Sequence, residues 1–165
     1  LLLPLAGESW DEGLCSLFGV PRAALPEVCD NAGNLARALP EWFGRSIPIT
    51  GMAGDQQAAT LGQSCLAPGD TKATYGTGAF VLANTGTAPP RSRHRLLGTV
   101  LYQMAGQRHY ALEGSVFVAG SLIQWLRDSL GLLASAAETE ALARSVADNG
   151  GVVIVPALAG LGASY

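Results

Sequence analysis

The strongest constraint on the fold is a change in residue periodicity near the middle of the chain. Residues 47–52 form an apolar run, and a glycine turn joins this run to a helix-forming segment at residues 55–61. A strand, a glycine turn and a helix make up an α/β unit, in which ligand groups commonly lie at the carboxyl end of the strand. From residue 68 onward the pattern becomes that of β-strands. The sequence therefore predicts an α/β fold with a boundary between two units near residue 67.

The second unit is predicted to begin as an antiparallel meander and to continue as helices. Turns separate four runs rich in β-forming residues, at positions 71–77, 79–85, 97–105 and 109–112. Helical spacing then returns between residues 119 and 130, and a second helix is expected from a Ser135 and Glu138 capping pair to about residue 147. Residues 152–155 have the composition of a buried strand. Strands, two helices and a further strand together predict a mixed sheet.

Shorter elements are predicted in the first 52 residues. A capping-box spacing between Ser9 and Glu12 predicts a short amphipathic helix that ends at Gly19. Prolines keep the elements of the following connector short, and we expect a helical turn or two within residues 34–43. The apolar run at residues 47–52 is expected to be a buried strand.

Composition excludes several classes of function. Only 14% of the 165 residues are charged and the net charge is -3, so the chain has no basic field for nucleic acid or for an anionic membrane surface. The three cysteines are odd in number and far from any pair of histidines, which argues against a disulfide framework and against a zinc site. No apolar run approaches the roughly 18 residues of a membrane span. We expect a cytoplasmic protein that binds neither nucleic acid nor membranes.

Asp55 is the first candidate for a chemical role. A carboxylate in the first turn of a helix lies near the positive end of the helix dipole and near backbone N–H groups, so it stays ionised at neutral pH and can accept a proton. The neighbouring Gln56 offers both a donor and an acceptor, the combination that orients an alcohol hydroxyl. A plainer alternative is that Asp55 only caps the helix and that the glutamines solvate it.

The turn at residues 76–78 is the second candidate. Its two glycines allow the backbone to approach a phosphate closely, and Thr77 between them can donate its hydroxyl and its amide. The alternative is an ordinary hairpin turn. Gly120 and Gln124 lie four residues apart on one face of a predicted helix, where the glycine could admit a nucleotide and the glutamine could hydrogen-bond it. Helix packing explains Gly120 nearly as well.

Four motifs in register carry a resemblance to a known family. They are GMAGDQQAA at residues 51–59, TYGTGAF at 74–80, LEGSVF at 112–117 running on to IQWLRD at 123–128, and VPA at 155–157 with GLG at 160–162. In order and spacing, these motifs resemble the FGGY carbohydrate kinase family, in the branch that acts on glycerol. The match to that branch depends on the paired glutamines after Asp55 and on TYGTGAF, because sugar-specific relatives resemble these motifs less closely.

The resemblance implies a two-domain kinase with the actin-like (ribonuclease H-like) ATPase fold, in which ATP and substrate meet in the cleft between the domains. The implied reaction is the ATP-dependent phosphorylation of glycerol to glycerol 3-phosphate, with Mg2+ as the metal. Asp55 is then the catalytic base and contacts both the substrate and the metal. Gln56 contacts the substrate hydroxyls, and Phe80 packs on the substrate carbon chain. The implied nucleotide contacts are Thr77, Gly120 and Gln124.

The resemblance also implies that the chain is an internal piece of a longer protein. Residues 1–67 would be the end of the N-terminal, substrate-side domain and residues 68–165 the first part of the C-terminal, nucleotide-side domain, with residues 47–85 as a hinge region. We expect the full-length parent, a homodimer or homotetramer, to bind glycerol or a similar polyol together with ATP or ADP. The 165 residues alone are expected to be inactive, because half of each ligand site is missing. Two alternatives stay open: an FGGY kinase for another polyol or a ketose sugar, and a non-catalytic binding domain.

Overall fold

The structure is a computed structural model that describes residues 2–160 and 162. In this part of the chain, the helices are α1 (Glu12–Leu17), α2 (Pro40–Phe43), α3 (Asp55–Gly62), α4 (Gly120–Asp128) and α5 (Glu138–Arg144). The strands are β1 (Ala32–Ala38), β2 (Ile47–Gly51), β3 (Thr71–Tyr75), β4 (Ala79–Gly86), β5 (Leu97–Met104) and β6 (Gln107–Val116). None of these helices has the length and apolar composition that crossing a bilayer requires. Leu161, in the last of the four sequence motifs, lies outside the described residues.

The strands form two antiparallel sheets within the described range. β1 pairs with β2, and the larger sheet has the strand order β3-β4-β6-β5. The four predicted β runs are confirmed, but the meander is wrong, because the β5–β6 hairpin folds so that β6 lies between β4 and β5. The last predicted run covers only the middle of β6. The predicted mixed sheet is also wrong, since the paired strands of both sheets are antiparallel.

The segment before α3 differs from the prediction in three places. α1 begins after Asp11, whose Oδ1 accepts the N–H of Leu14 at 2.8 Å, and not at Ser9. Residues 32–38 form β1 where the sequence predicts a helical turn, because antiparallel pairing with β2 holds them extended. The short α2 is helical as predicted. β2 is a strand as predicted, but it is largely exposed rather than buried.

The C-terminal region is less regular than the sequence predicts. α4 is confirmed, and α5 is shorter than expected, with Ala137 rather than Ser135 at its N-cap. Residues 152–155 do not form a strand, and their side chains are 55–78% exposed, so the predicted buried strand is wrong. A strand requires a neighbour that supplies backbone hydrogen bonds, and this segment belongs to neither of the two sheets.

The core lies on the face of the larger sheet that α3 covers. Leu82, Leu101, Tyr102 and Ala111 form a buried cluster, and Leu61 of α3 packs against it. Directly paired residues of an antiparallel sheet lie on the same face, and successive residues alternate between faces except at an irregularity such as the register shift between Val100 and Tyr102 of β5. The opposite face of the sheet carries an open apolar cavity of about 480 Å³, whose lining includes Tyr75, Val81, Leu112 and Val116. The sheet therefore has one face covered by α3 and one face that carries an open apolar cavity.

Candidate active site

Asp55 is the first residue of α3, and its side chain is exposed. The N-cap position is occupied by Gly54, so the alternative in which Asp55 is the N-cap is wrong. Oδ1 of Asp55 accepts the backbone N–H of Gln56 at 2.8 Å, and Oδ2 lies 3.4 Å from Nε2 of Gln56. Asp55 therefore presents a hydrogen-bond acceptor to solvent at the start of α3.

Gln56 is held by a lysine, Lys72, that no sequence motif indicates as a site residue. Nζ of Lys72, on β3, donates to Oε1 of Gln56 and, at 2.9 Å, to Oγ1 of Thr74. The side chain of Lys72 is buried, with 4% exposure. Two features of the sequence could have indicated that this residue has a special role. Lys72 is the only lysine in the sequence, and it interrupts a β run of otherwise uncharged residues. Alternation along a strand predicts that residues 72 and 74 share a face, but not that this face is covered by α3.

The electrostatic environment of Lys72 couples it to two carboxylates. Burial is the largest influence on the pKa of Lys72 and lowers it, while the charges of Glu113 and Asp55 act to raise it. Lys72 on β3 and Glu113 on β6 are both paired with Leu82 of β4, the strand that lies between them. An ammonium removed from water needs hydrogen bonds and nearby opposite charge to remain inside a protein. The hydrogen bonds to Gln56 and Thr74 and the charges of the two carboxylates supply both.

Phe80 lies on the face of the sheet that carries Lys72. On β4, Phe80 pairs with Thr74 of β3, two residues from Lys72, and with Ser115 of β6. Paired residues share a face and residues two apart on one strand also share it, so Phe80, Thr74 and Lys72 project to the same side. The structure thus brings Phe80 to the side of the sheet on which Lys72 meets Gln56.

Residues 76–78 form the turn of the β3–β4 hairpin and pack against the start of α4. The carbonyl oxygen of Gly76 accepts the N–H of Gly120 at 2.9 Å, and that of Thr77 accepts the N–H of Ala119 at 2.8 Å. A Cβ at Gly120 would lie 2.5 Å from the carbonyl oxygen of Gly76, so this approach requires glycine. The hairpin-turn and helix-packing alternatives are therefore correct as structural descriptions. They also bring Thr77, whose side chain is exposed, next to Gly120.

Gln124 follows Gly120 by one helical turn on α4 and is exposed. Residues four apart on a helix share a face, so Gln124 continues the surface that begins where α4 meets the hairpin. Its position relative to Thr77 is therefore set by the helix and by the backbone hydrogen bonds at the start of α4.

The six predicted site residues fall into two groups that one hairpin connects. The first group, at α3 and the adjacent sheet face, is Asp55, Gln56 and Phe80; the second, at the hairpin turn and α4, is Thr77, Gly120 and Gln124. Thr74, which shares Lys72 with Gln56, is three residues from Thr77. Three extended residues span at most roughly 11 Å, so the hairpin keeps the two groups at neighbouring positions.

Asp55 supplies an exposed carboxylate that a metal ion could contact at this site. In the part of the chain that the structure describes, no group of three or more His, Cys, Asp or Glu residues could hold a metal ion. Mg2+ commonly keeps several waters and binds through one or two carboxylates together with substrate phosphates. The exposed carboxylate of Asp55 therefore fits a metal ion that arrives with a nucleotide, and does not fit a metal held by protein ligands alone.

Comparison with known proteins gives close sequence relatives. Residues 71–165 match the FGGY family of carbohydrate kinases, C-terminal domain. The chain is 56% identical over 158 residues to the glycerol kinase of Rhodospirillum centenum, which covers 96% of this chain and 32% of that protein. It is also 56% identical over 165 residues to the glycerol kinase of Rhodospirillum rubrum, which covers 100% of this chain and 33% of that protein. The chain spans about a third of the length of these relatives.

Solved structures give the same result for the fold. The crystal structure of Plasmodium falciparum glycerol kinase with ADP matches with a TM-score of 0.86 and 36% identity, covering 96% of this chain and 32% of that one. The xylulose kinase from Rhodospirillum rubrum matches with a TM-score of 0.75 and 27% identity, covering 93% and 32%. The predicted actin-like ATPase fold is thereby confirmed for the part of it that this chain represents.

Proposed function

Because this chain belongs to the FGGY family of carbohydrate kinases, we propose that the full-length protein containing it phosphorylates glycerol to glycerol 3-phosphate with ATP. The observation that carries the proposal is an identity of 53–57% to glycerol kinases that extends over 94–100% of this chain. The similar Plasmodium falciparum glycerol kinase is in complex with ADP, which supports an adenine nucleotide as the phosphoryl donor.

Asp55 is the general base in this proposal. Phosphoryl transfer to a primary alcohol requires that the hydroxyl proton be accepted as the γ-phosphoryl group arrives, and it otherwise depends on positioning and on neutralising phosphate charge. The exposed carboxylate at the start of α3 supplies the proton acceptor. Gln56, adjacent to it, orients the substrate hydroxyls, and Phe80 packs on the substrate carbon chain.

The nucleotide contacts are assigned to the second group of residues. Thr77 lies at an exposed hairpin turn, where its hydroxyl can donate to a phosphate oxygen. Gly120 and Gln124 bind the nucleotide along one face of α4. Mg2+ would neutralise phosphate charge, and Asp55 is the residue of this chain assigned to contact it.

The domain assignment belongs to the same proposal. Residues 1–67 are assigned to the substrate-side domain and residues 68–165 to the nucleotide-side domain. Two observations support this boundary: the family match begins at residue 71, and a turn precedes β3, in which the N–H of Ala67 donates to Oδ2 of Asp70 at 2.8 Å. The full-length protein is proposed to be a cytoplasmic homodimer or homotetramer, and three cysteines without disulfides fit a reducing compartment.

The decisive experiment replaces Asp55 with asparagine in the full-length protein. Asp55→Asn keeps the size of the side chain but removes the proton acceptor, so kcat for glycerol should fall by about 10²- to 10⁴-fold while ATP still binds, as measured by calorimetry. Asp128→Asn is the matched control, because Asp128 is an exposed carboxylate on α4 whose partner is Arg127, and it should keep normal turnover. Near-normal turnover by Asp55→Asn would rule out its role as the base.

A second candidate function is phosphorylation of a ketose or of another polyol. It is favoured by the match to a xylulose kinase structure, which covers nearly the whole chain. A substrate panel of glycerol, longer polyols and xylulose, assayed by ADP release from the full-length protein, separates the two candidates. Turnover of xylulose in preference to glycerol would replace the first proposal by the second.

A further inference from the structure

Lys72 lies inside the protein, although lysine is among the residues least often buried. Its side chain is 4% exposed, and the residue paired with it on β4, Leu82, is fully buried. Removing an ammonium group from water costs more free energy than its aliphatic stem gains, unless the group finds acceptors. The burial of Lys72 therefore depends on the acceptors that α3 and β3 provide.

The acceptor that Lys72 contacts on α3 is a neutral amide. Nζ donates to Oε1 of Gln56 and to Oγ1 of Thr74, the latter at 2.9 Å. The carboxylates of Glu113 and Asp55 are close enough to act on its charge. Among the described residues, however, neither carboxylate forms an ion pair with Lys72. The ion pairs there join Arg127 to Asp128 and Arg144 to Glu140. The hydrogen bond to Gln56 is therefore its direct connection to α3.

The hydrogen bond from Lys72 determines which end of the Gln56 carboxamide faces Asp55. The two ends of a carboxamide have nearly the same shape but opposite hydrogen-bonding character, and an ammonium group can only donate. Oε1 of Gln56 must therefore face Lys72, which leaves Nε2 on the other side, 3.4 Å from Oδ2 of Asp55. Gln56 consequently presents a donor beside the carboxylate and cannot turn its oxygen there without giving up the bond to Lys72.

We propose that Lys72 is a positioning residue for phosphoryl transfer, a role that rests on the proposed function. Its buried ammonium fixes the carboxamide of Gln56 so that Nε2 donates to a substrate hydroxyl oxygen beside Asp55. Lys72 does not touch the substrate and acts through Gln56. A substrate hydroxyl held in this way offers its oxygen to Gln56, so its proton points away from the amide and toward the carboxylate.

The first test is Lys72→Met in the full-length protein. Methionine keeps an unbranched side chain of similar length but donates no hydrogen bond, so the Gln56 carboxamide can rotate. The value of kcat/KM for glycerol should fall by about 10- to 100-fold, the scale of one hydrogen bond to a charged group, while KM for ATP stays unchanged. Arg144→Met is the matched control, because Arg144 is an exposed cation that pairs with Glu140, and it should behave as wild type. Wild-type kinetics for a folded Lys72→Met would overturn the inference.

A double-mutant cycle separates positioning from general stabilisation. If Lys72 acts through Gln56, then Lys72→Met should cost nothing further in a Gln56→Leu background, whereas a structural role would give the same loss in both backgrounds. Gln56→Glu provides a test that leaves Lys72 intact: it keeps an acceptor for Lys72 but lacks the Nε2 donor, so it should lose as much kcat/KM as Gln56→Leu. Equal losses in both backgrounds, or wild-type kinetics for Gln56→Glu, would contradict the inference.

The wild-type protein distinguishes this inference from the proposed function. An active wild type with unaffected Lys72 variants overturns the positioning role alone. A wild type that phosphorylates no substrate of the panel overturns the proposed function and the positioning role with it.

Discussion

Replacing Gly120 with alanine tests the contact between the β3–β4 hairpin and α4. A Cβ at this position would lie 2.5 Å from the carbonyl oxygen of Gly76 and 3.3 Å from its carbonyl carbon. The same oxygen accepts the N–H of Gly120 at 2.9 Å. Because the opposing atoms are backbone atoms, no flexible side chain can move aside. The hairpin and the helix must therefore separate to accommodate the methyl group.

The size of the effect follows from that separation. A close carbon-to-oxygen contact is about 3.3 Å, so the two elements must move apart by roughly 0.8 Å, which breaks the bond to Gly76 and the neighbouring bond from Ala119 to Thr77. Two hydrogen bonds cost about 2 kcal/mol, and alanine regains about 1 kcal/mol through its helix propensity. Residual overpacking adds about 1 to 3 kcal/mol, which gives a net destabilisation of about 2 to 4 kcal/mol.

The assay combines thermal unfolding with steady-state kinetics on the full-length protein. Gly120→Ala should lower the melting temperature and raise KM for ATP, while KM for glycerol changes little, because Gly120 contacts the Thr77 turn and not α3. Gly62→Ala is the matched control: it is also a helical glycine, but a Cβ there meets nothing within 4 Å, so it should be neutral or stabilising. The reasoning is refuted if Gly120→Ala melts and binds ATP as wild type does, or if Gly62→Ala destabilises equally.

Two further predictions concern the scaffold. Leu82→Ala removes a fully buried side chain from the core and should cost about 2 to 5 kcal/mol in urea unfolding; a loss below about 1 kcal/mol would contradict its place in the core. The pKa of Asp30 is lowered from its ordinary value of 3.8, first by the hydrogen bond from the Gln103 side chain and then by the N–H of Gly106. Since the folded-state pKa is depressed, this contact stabilises the protein above about pH 4 and is lost as the pH falls further. Asp30→Asn should therefore flatten the acid side of a melting-temperature profile, and an unchanged slope would count against the contact.

The parts of the fold that could be predicted from sequence are those fixed by local patterns. The helix of α3 follows from its glycine turn and small residues, and the β3–β4 hairpin from two β runs around residues 76–78. The insertion of β6 between β4 and β5 could not be predicted, because strand order depends on pairing between distant segments. β1 was missed for the same reason, since its conformation depends on β2.

The residues of the site divide in the same way. Some are indicated by their immediate sequence context, and others have a role that depends on residues distant in the sequence. Asp55 and Gln56 could be selected because a carboxylate and an amide at the start of a helix have chemical meaning without any partner. Lys72 could not, because its role depends on burial under α3 and on the register that places it opposite Leu82. A lone lysine in a β run is ordinarily an exposed residue, so only the packing of α3 on the sheet distinguishes it.

The packing of α3 also bears on how a cleft around this site could close. α3 precedes residue 67, yet Leu61 packs against the core of the larger sheet, and Nδ2 of the buried Asn84 donates to the carbonyl oxygen of Cys65 at 3.2 Å. A hinge at residues 67–70 would have to break these contacts together with the bond from Lys72 to Gln56, at a cost of several kcal/mol. A hinge at the exposed residues 52–54, before α3, would leave these contacts intact, but it would have to break those that Asp30 and Asn31 make with Gln103 and Gly106 of the β5–β6 hairpin. Contacts to the larger sheet therefore come from both sides of residues 52–54, and among the described residues they hold α3 and the segment before β1 against the sheet that carries the Thr77 turn.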